Sequence, residues 1–467
     1  MKVSVACAVM ACAWIAETAA AEPTTIDHVT IVDVADGTRT PDQSISFDGD
    51  RITAVGPPPS RGPRRRIDGT GLFVLPGLWD MHVHSHRERR WTYHYPLFRA
   101  FGITGVRDAG THLGSAMAHR PQAKANPLAP RVIWGSPIID GAPQVNSFGL
   151  SAEDETSGRL LAREMHRYGF DFLKVYDRLT PGAYRGLASE ARRLGMPLEG
   201  HVPLAVSPEL TIAAGQRLID HLTLIAEACS PLVLAVVQRK NIEAPRESDS
   251  LSVLMSDEVR SAMTPFDVAA CKPLFTRLAH AHVWQVPTYV QLETYVAPAP
   301  KEAWLARRDY VSPGLWADWE AYVKEADPAA LANGKKFFDA QLSLLKPMTD
   351  AGIPILAGTD VSSEPWVFAG QSLHRELELF VQAGLSPLQA IQTATLNPRI
   401  YAGHDKEKPL IRAGERADLV LFAADPTADI ASLGTIRGVV ARGLYHDRAS
   451  LDALLTDAKL RAKSAGK

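Results

Sequence analysis

Eight short apolar runs, most of them separated by helical patterns, constrain this chain more than any other feature. They are Leu72 to His84 (LFVLPGLWDMHVH), Gly102 to Gly110, Arg131 to Ile139, Phe170 to Asp177, Met196 to Val202, Arg217 to Leu222, Val283 to Val290 and Ile353 to Val361. Apolar runs this short, alternating with helices, read as parallel strands buried on both faces. Eight strand–helix repeats in one chain suggest a closed (β/α)8 TIM barrel. One intervening helix can be bounded from its ends: Thr180 is a plausible N-cap, Pro181 takes the first helical position and Gly195 closes the last turn.

Two β-rich segments flank the repeats. From about Thr25 to Arg66 the chain reads TTIDHVTIVDVADG and SISFDGDRITAVG, β-branched runs closed by Asp-Gly turns that suit hairpins. From about Gly414 to Asp447, ADLVLFAADP and IRGVVARGLYHD are again strand-like. The expected organisation is a small β-sandwich domain built from both chain ends (22–70 and 405–450) around a barrel over 71–404, with Arg61 to Arg66 as a solvated joining turn. Ahead of these, Lys2, the apolar stretch Val3 to Ala16 and Ala19-Ala20-Ala21 read as a cleaved signal peptide over 1–21. That stretch is short of the roughly 20 residues that span a bilayer. Cys12 as a lipidated cysteine is the weaker alternative, because Val9-Met10-Ala11 is a poor lipobox. The expected location is therefore secreted or periplasmic, where the two remaining cysteines, Cys229 and Cys271, can pair. Lys+Arg 50 against Asp+Glu 52 leaves a net charge of −2, with no electrostatic footprint for nucleic acid.

In a (β/α)8 barrel the chemistry sits at the C-terminal ends of the strands. The first run ends in His82 and His84, two residues apart and so on one strand face, where both can meet one metal ion. Lys174 lies inside the fourth run between Phe172 and Tyr176, which share its face. An unpaired ammonium in a barrel interior is costly, so it should be neutralised, paired or modified. Reaction with carbon dioxide would make it a carbamate, an anionic oxygen donor able to bridge two divalent metals. Snorkelling to the barrel mouth is the bland alternative. His201, His221 and Asp360 end the fifth, sixth and eighth runs. Each alone is more often structural, but ligand types at five strand ends together point to a metal centre. Imidazoles with carboxylates suit zinc, with manganese, cobalt and iron as alternatives.

With these residues in place the chain resembles the binuclear amidohydrolase superfamily. More narrowly it is similar to the secreted imidazolonepropionase-related and Xaa-Pro dipeptidase-like branch. The motifs that carry the resemblance are PGLWDMHVH (Pro76 to His84), Lys174, His201, His221, the GTD of Asp360, Leu373 to Pro398, and GERADLVLFAADP (Gly414 to Pro426). The resemblance covers essentially the whole mature chain. It implies that His82, His84 and Asp360 hold the more buried of two divalent ions and that His201 and His221 hold the other. N-carboxylated Lys174 and a hydroxide would bridge them. It further implies that Asp360 is the general base. Tyr176, one step nearer the mouth than Lys174, could bind the scissile carbonyl or simply cap the barrel core.

Mononuclear deaminases of the superfamily carry a His-x-x-Glu acid, whereas His221 is followed by Leu222, Thr223 and Leu224. True imidazolonepropionases lack the bridging lysine, so their name does not transfer. The expected function is a secreted hydrolase of amide bonds in small substrates, such as Xaa-Pro dipeptides or N-acyl amino acids. A lactone, phosphotriester or cyclic-amide hydrolase on the same metals is the alternative, and a noncatalytic metal-binding protein is a more distant one. The expected partner is a small-molecule substrate, with no membrane contact after signal cleavage and a homo-oligomer left open. Long insertions, about Thr223 to Ala281 and Val290 to Thr349, should overhang the site. His86, His94 and His112 are read as ordinary histidines.

Overall fold

The repeats close on themselves. The computed structural model describes residues 22–465, apart from 60–64, 88–89, 147, 245–249, 297–300, 326–327 and 362–364. The expected leader lies outside the described residues. Strands Leu78–Val83, Ile103–Asp108 and Arg131–Trp134 pair in parallel, as do Leu173–Val175, Leu198–Gly200, Leu218–Asp220 and Trp284–Val286. A parallel bridge between Gly135 and Phe172 joins the two groups. Bridges from Gln285 to Ile355 and from Val83 to Val361 close the barrel through the eighth run.

That eighth run departs from a regular strand. It is held by bonds such as Leu356 N–H to Gln285 O (2.9 Å) and Met81 N–H to Ala357 O (2.8 Å). The reason lies at Gly358, where a Cβ atom would sit 2.6 Å from Val286 Cγ1 and 2.8 Å from His82 Cβ. Only glycine lets the segment approach so closely, and two residues later Asp360 takes a positive φ of 61°. The helices follow their caps. In Pro181–Leu194, Thr180 Oγ1 accepts from Ala183 N–H and Gly195 ends the helix at φ 66°.

Both chain ends feed one eight-stranded sheet. The N-terminal side gives Thr24–Val32, Arg39–Asp48, Arg51–Gly56, Arg65–Asp68 and Phe73–Pro76; the C-terminal side gives Leu419–Phe422, Ile436–Ala441 and Leu444–Asp447. The Asp-Gly turns fall where expected, joining antiparallel neighbours at Gly37 and Gly49. The first strand changes partner midway, from Arg65–Asp68 to Phe73–Val74, so the sheet folds around Ile26, Ile45, Phe47, Leu419 and Leu421. Arg65 and Arg66 begin a strand rather than belonging to a turn; residues 61–64 lie outside the described residues. A final helix, Arg448–Ser464, returns to pack on the barrel helix Trp91–Ala100. Among the described residues no helix is long and apolar enough to cross a membrane.

The insertions are helical. The first carries Pro231–Glu243, Ser250–Leu254, Asp257–Ala262 and Lys272–His280. The second carries Tyr289–Tyr295, Glu302–Leu305, Pro313–Glu325 and Pro328–Asp350. Cys229 and Cys271, 42 residues apart, form a disulfide that ties the ends of the first insertion. Loop-closure entropy for that separation corresponds to about 4 kcal/mol at most. Replacing both cysteines by serine should therefore lower unfolding stability by about 2–4 kcal/mol, read from the denaturant midpoint of protein made in an oxidising compartment. An unchanged midpoint, or two free thiols by mass analysis, would refute the constraint.

Candidate metal centre

At the C-terminal mouth of the barrel, three of four imidazoles are held by a hydrogen bond at their Nδ1 atom. His84 Nδ1 lies 2.7 Å from Gly110 O, and His201 Nδ1 lies 2.6 Å from Asp177 Oδ1. Neither oxygen can donate, so both rings carry the proton on Nδ1 and leave a lone pair on Nε2. His221 reaches the same state through a relay. Its Nδ1 lies 2.6 Å from Thr288 Oγ1, whose hydroxyl donates to Gln291 Oε1 at 3.2 Å. His82 Nδ1 faces Asp220 Oδ1 at 3.0 Å. Three acceptors thus aim the Nε2 lone pairs of His84, His201 and His221 into one space, with His82 beside them, the arrangement that metal-binding histidines use.

Asp360 completes the set. Its Oδ1 lies 3.3 Å from His82 Nε2 and 3.2 Å from His84 Nε2, and its Oδ2 lies 3.8 Å from His221 Nε2. A carboxylate oxygen facing lone-pair nitrogens at these distances repels them unless a cation lies between. Ligands about 2.0–2.1 Å from a tetrahedral ion sit roughly 3.3 Å from one another, which matches the spacing. His82, His221 and Asp360 each offer an atom within 4.8 Å of the others. The Nε2 atoms of His82 and His201 are buried and have no hydrogen-bond partner among the described residues. Such orphaned donor-set atoms fit a metal ion.

Burial sets the protonation states. It pushes His82 and His84 down to about 4 and His221 down to about 3, and holds His201 well below its ordinary range. All four rings are neutral near pH 7, as ligands must be. Burial opposes ionisation of Asp360, and positive charge at the facing His82, His84 and His221 would outweigh it and hold the carboxyl below the usual carboxylate range.

Beneath this set lies a buried ionic layer. Lys174 Nζ donates to Asp220 Oδ2 at 2.5 Å, and Arg107 donates to Asp220 Oδ1 (3.2 Å) and to Glu199 Oε2 (2.9 Å). The Tyr401 hydroxyl donates to Glu199 Oε1 at 2.6 Å. Lys174 in its amine form is thus paired, and burial lowers its pKa while Asp220 opposes that shift.

All of the expected ligands, His82, His84, Lys174, His201, His221 and Asp360, line one cavity of about 510 Å³ together with Tyr176, whose ring lies 4.1 Å from that of His201. Helix Pro313–Glu325 lines the cavity with Trp319 and Tyr322. His86 stays out of the cavity. It links Asp108 Oδ2 and the Tyr95 hydroxyl, each at 2.6 Å.

Sequence reasoning missed Asp220, Asp177 and Thr288. Asp220 precedes His221 directly, and strand alternation places neighbours on opposite faces. A φ of 58° at His221 breaks that alternation and lets both side chains serve the site. The available signals were a carboxylate beside His221 in RLIDH and a carboxylate three residues after Lys174 in KVYD.

Residues 73–444 match the amidohydrolase family. The chain is 32% identical over 186 residues to an allantoinase of Rubrobacter xylanophilus, covering 36% of this chain and 37% of that protein. It is 24% identical over 248 residues to an adenine deaminase of Ligilactobacillus salivarius, covering 50% and 42%. The matches span less than half of either relative. Among solved structures, a bottromycin amidohydrolase superposes with a TM-score of 0.72 at 23% identity, covering 94% of this chain and 90% of that one. A putative prolidase from Bifidobacterium longum gives 0.66 at 21%, covering 94% and 99%. A Xaa-Pro dipeptidase with bound methionine in its active site gives 0.63 at 17%, covering 91% and 100%. At these identities the likeness is one of fold.

Two outcomes follow from the geometry. Thr288→Val removes the hydroxyl that sets the His221 tautomer and should weaken metal binding about 10–100-fold, read by calorimetric titration of metal-free protein. Unchanged affinity would reject the relay. The depressed imidazole pKa values also fix a sign. Unfolded histidines take up protons near pH 6.5, whereas the folded ones wait until about 3–4. Metal-free protein should keep this contribution above about pH 6.5 and lose it progressively toward pH 4. Denaturant midpoints across that range measure it, and a flat profile would contradict the burial.

Proposed function

The chain belongs to the amidohydrolase family, and from that premise we propose that it is a metal-dependent hydrolase of amide bonds in small substrates. Short peptides, Xaa-Pro dipeptides among them, and N-acyl amino acids are the substrate classes that fit. The observation that carries this reading is the convergence of four imidazoles and Asp360 on one cavity, with no hydrogen bond to the Nε2 atom of His82 or of His201. His82, His84 and Asp360 would hold one divalent ion and His201 and His221 a second, zinc first and manganese, cobalt or iron as alternatives. N-carboxylated Lys174 would lie between them. Bound there, such ions lower the pKa of water and polarise a carbonyl.

The chain's own groups do the rest. Asp360 turns Oδ1 to the two histidines of the first strand, which leaves Oδ2 to take a proton from water and return it to the departing nitrogen. Tyr176, packed on His201 at the edge of the set, orients the scissile carbonyl. Trp319 and Tyr322 limit water over the cavity. Two of the structural neighbours are described as a putative prolidase and a Xaa-Pro dipeptidase, which favours peptide-like amides. The leader read over 1–21 and the Cys229–Cys271 bridge favour a secreted or periplasmic location.

Chelation should abolish amide hydrolysis, and added zinc or manganese should restore it. Active protein should hold two metal equivalents by elemental analysis; one equivalent would refute the paired site. Asp360→Asn should fold normally and lose about 10²–10⁴-fold in turnover. Lys174→Ala should lose activity that short carboxylates partly restore, and a fully active Lys174→Ala would reject the bridge.

A further inference from the structure

The cavity over the metal centre has a side chamber that the chemistry above does not use. A recess of about 80 Å³ shares Tyr176, His201, His221, Tyr295 and Asp360 with the main cavity, so it opens beside the reacting position. Its far wall is Leu251, Leu254, Gln291, Leu292 and Phe337. Leu254, Leu292 and Phe337 are 2–4% exposed. Several polar groups along it are already engaged: Thr223 Oγ1 donates to Asp220 O, Gln291 Oε1 accepts from Thr288, and Ser250 N–H donates to Asp177. An occupant therefore meets an apolar far wall, with the polar groups gathered at the mouth and several of them already bonded within the protein. At about 10–15 Å³ per water-sized position, the recess admits a group of roughly five to eight heavy atoms.

We propose that this recess receives a bulky apolar side chain, of leucine to phenylalanine size, on a residue flanking the scissile amide. The proposal rests on the amide-hydrolase reading and narrows its substrates to short peptides or acylated residues with such a side chain. The wall comes from both insertions: helix Ser250–Leu254 from the first, and helices Tyr289–Tyr295 and Pro328–Asp350 from the second. None of these residues is a metal ligand, so substrate choice is carried by segments outside the barrel strands. The half-buried Leu251 lies where a larger side chain would shorten the recess.

The test uses the metal-loaded full-length mature chain with two dipeptide series, Xaa-Gly and Gly-Xaa, where Xaa is Ala, Val, Leu or Phe. Hydrolysis is followed by amine release and binding by calorimetry. In one series kcat/KM should rise about 10–100-fold from Ala to Leu or Phe, the range that a few buried methylenes supply. Leu251→Phe should erase that rise while leaving the Ala substrate within about threefold, and Leu251→Ala should move the optimum from Leu toward Phe. Metal content and circular dichroism check that both variants are folded. Hydrolysis without any size preference would overturn the recess and leave the amide reading standing. Tighter binding of the larger dipeptides without hydrolysis would uphold the recess and overturn the amide reading. Variants that fold and bind metal yet keep the wild-type preference would also overturn the recess, and if neither folds, the wild-type size series decides alone.

Discussion

Arg107, Lys174 and His82 all turn toward Asp220, a carboxylate with no solvent exposure at the floor of the site. Ions withdrawn from water cost several kcal/mol each unless their partners are in place. Here they are: Arg107 is shared with Glu199, Glu199 also accepts from Tyr401, and the guanidinium lies over the Phe172 ring at 4.2 Å. With Lys174 as an ammonium the layer balances, two cations against two carboxylates. Carboxylation would turn that cation into an anion and leave the layer with an excess of two negative charges. Such an excess is tolerable in a dry barrel only when cations arrive above it. On the proposed reading, the ionic floor would therefore make carboxylation of Lys174 depend on metal loading.

Two of the candidate ligands above that floor, and the threonine that holds one of them, are presented by strained backbone. His221, Thr288 and Asp360 have φ of 58°, 52° and 61°, at the ends of the sixth, seventh and eighth runs. Non-glycine residues in that region cost of order 1–3 kcal/mol each and persist where the surroundings over-determine them. The surroundings here are specific. Asp360 N–H is bound to His82 O and His221 N–H to Val286 O, so the ladder of the neighbouring strand holds each turn in place. Thr288 sits at the N-terminus of helix Tyr289–Tyr295, whose first amides are bound by buried Glu376. The strain is the means by which a strand end turns a side chain into the cavity instead of continuing the pleat.

This explains which parts of the site were legible in the sequence. His82 and His84 lie on a regular strand, where a spacing of two is a reliable statement about facing, and Lys174 with Tyr176 reads the same way. Alternation fails where φ turns positive, so Asp220 was hidden by its own neighbour, His221. Thr288 was hidden because it acts through a hydroxyl relay set by helix geometry. The barrel itself was legible because eight apolar runs with helices between them leave few other topologies. The sheet from both chain ends was legible through its Asp-Gly turns, whereas the midway change of partner in its first strand depends on packing around Ile26 and Phe47. The recess could not be read at all, since its walls come from helices far apart in the chain.

Asp177 ties these levels together. One of its oxygens holds His201 Nδ1 and the other accepts Ser250 N–H at 2.6 Å. Ser250 begins the helix that carries Leu251 and Leu254, and that helix lies within the loop closed by the Cys229–Cys271 bridge. A candidate metal ligand and the wall of the recess thus share one carboxylate. Burial pushes Asp177 up to about 6, and the Ser250 bond partly offsets that shift. If the insertion shifted, Asp177 would lose a donor and the His201 ring would lose part of its anchor. Changes that enlarge or close the recess by moving the helix should disturb the metal site as well, while changes confined to side-chain volume should not. Selectivity in this fold is therefore best altered one side chain at a time, with the backbone from Ser250 to Leu254 left where Asp177 holds it.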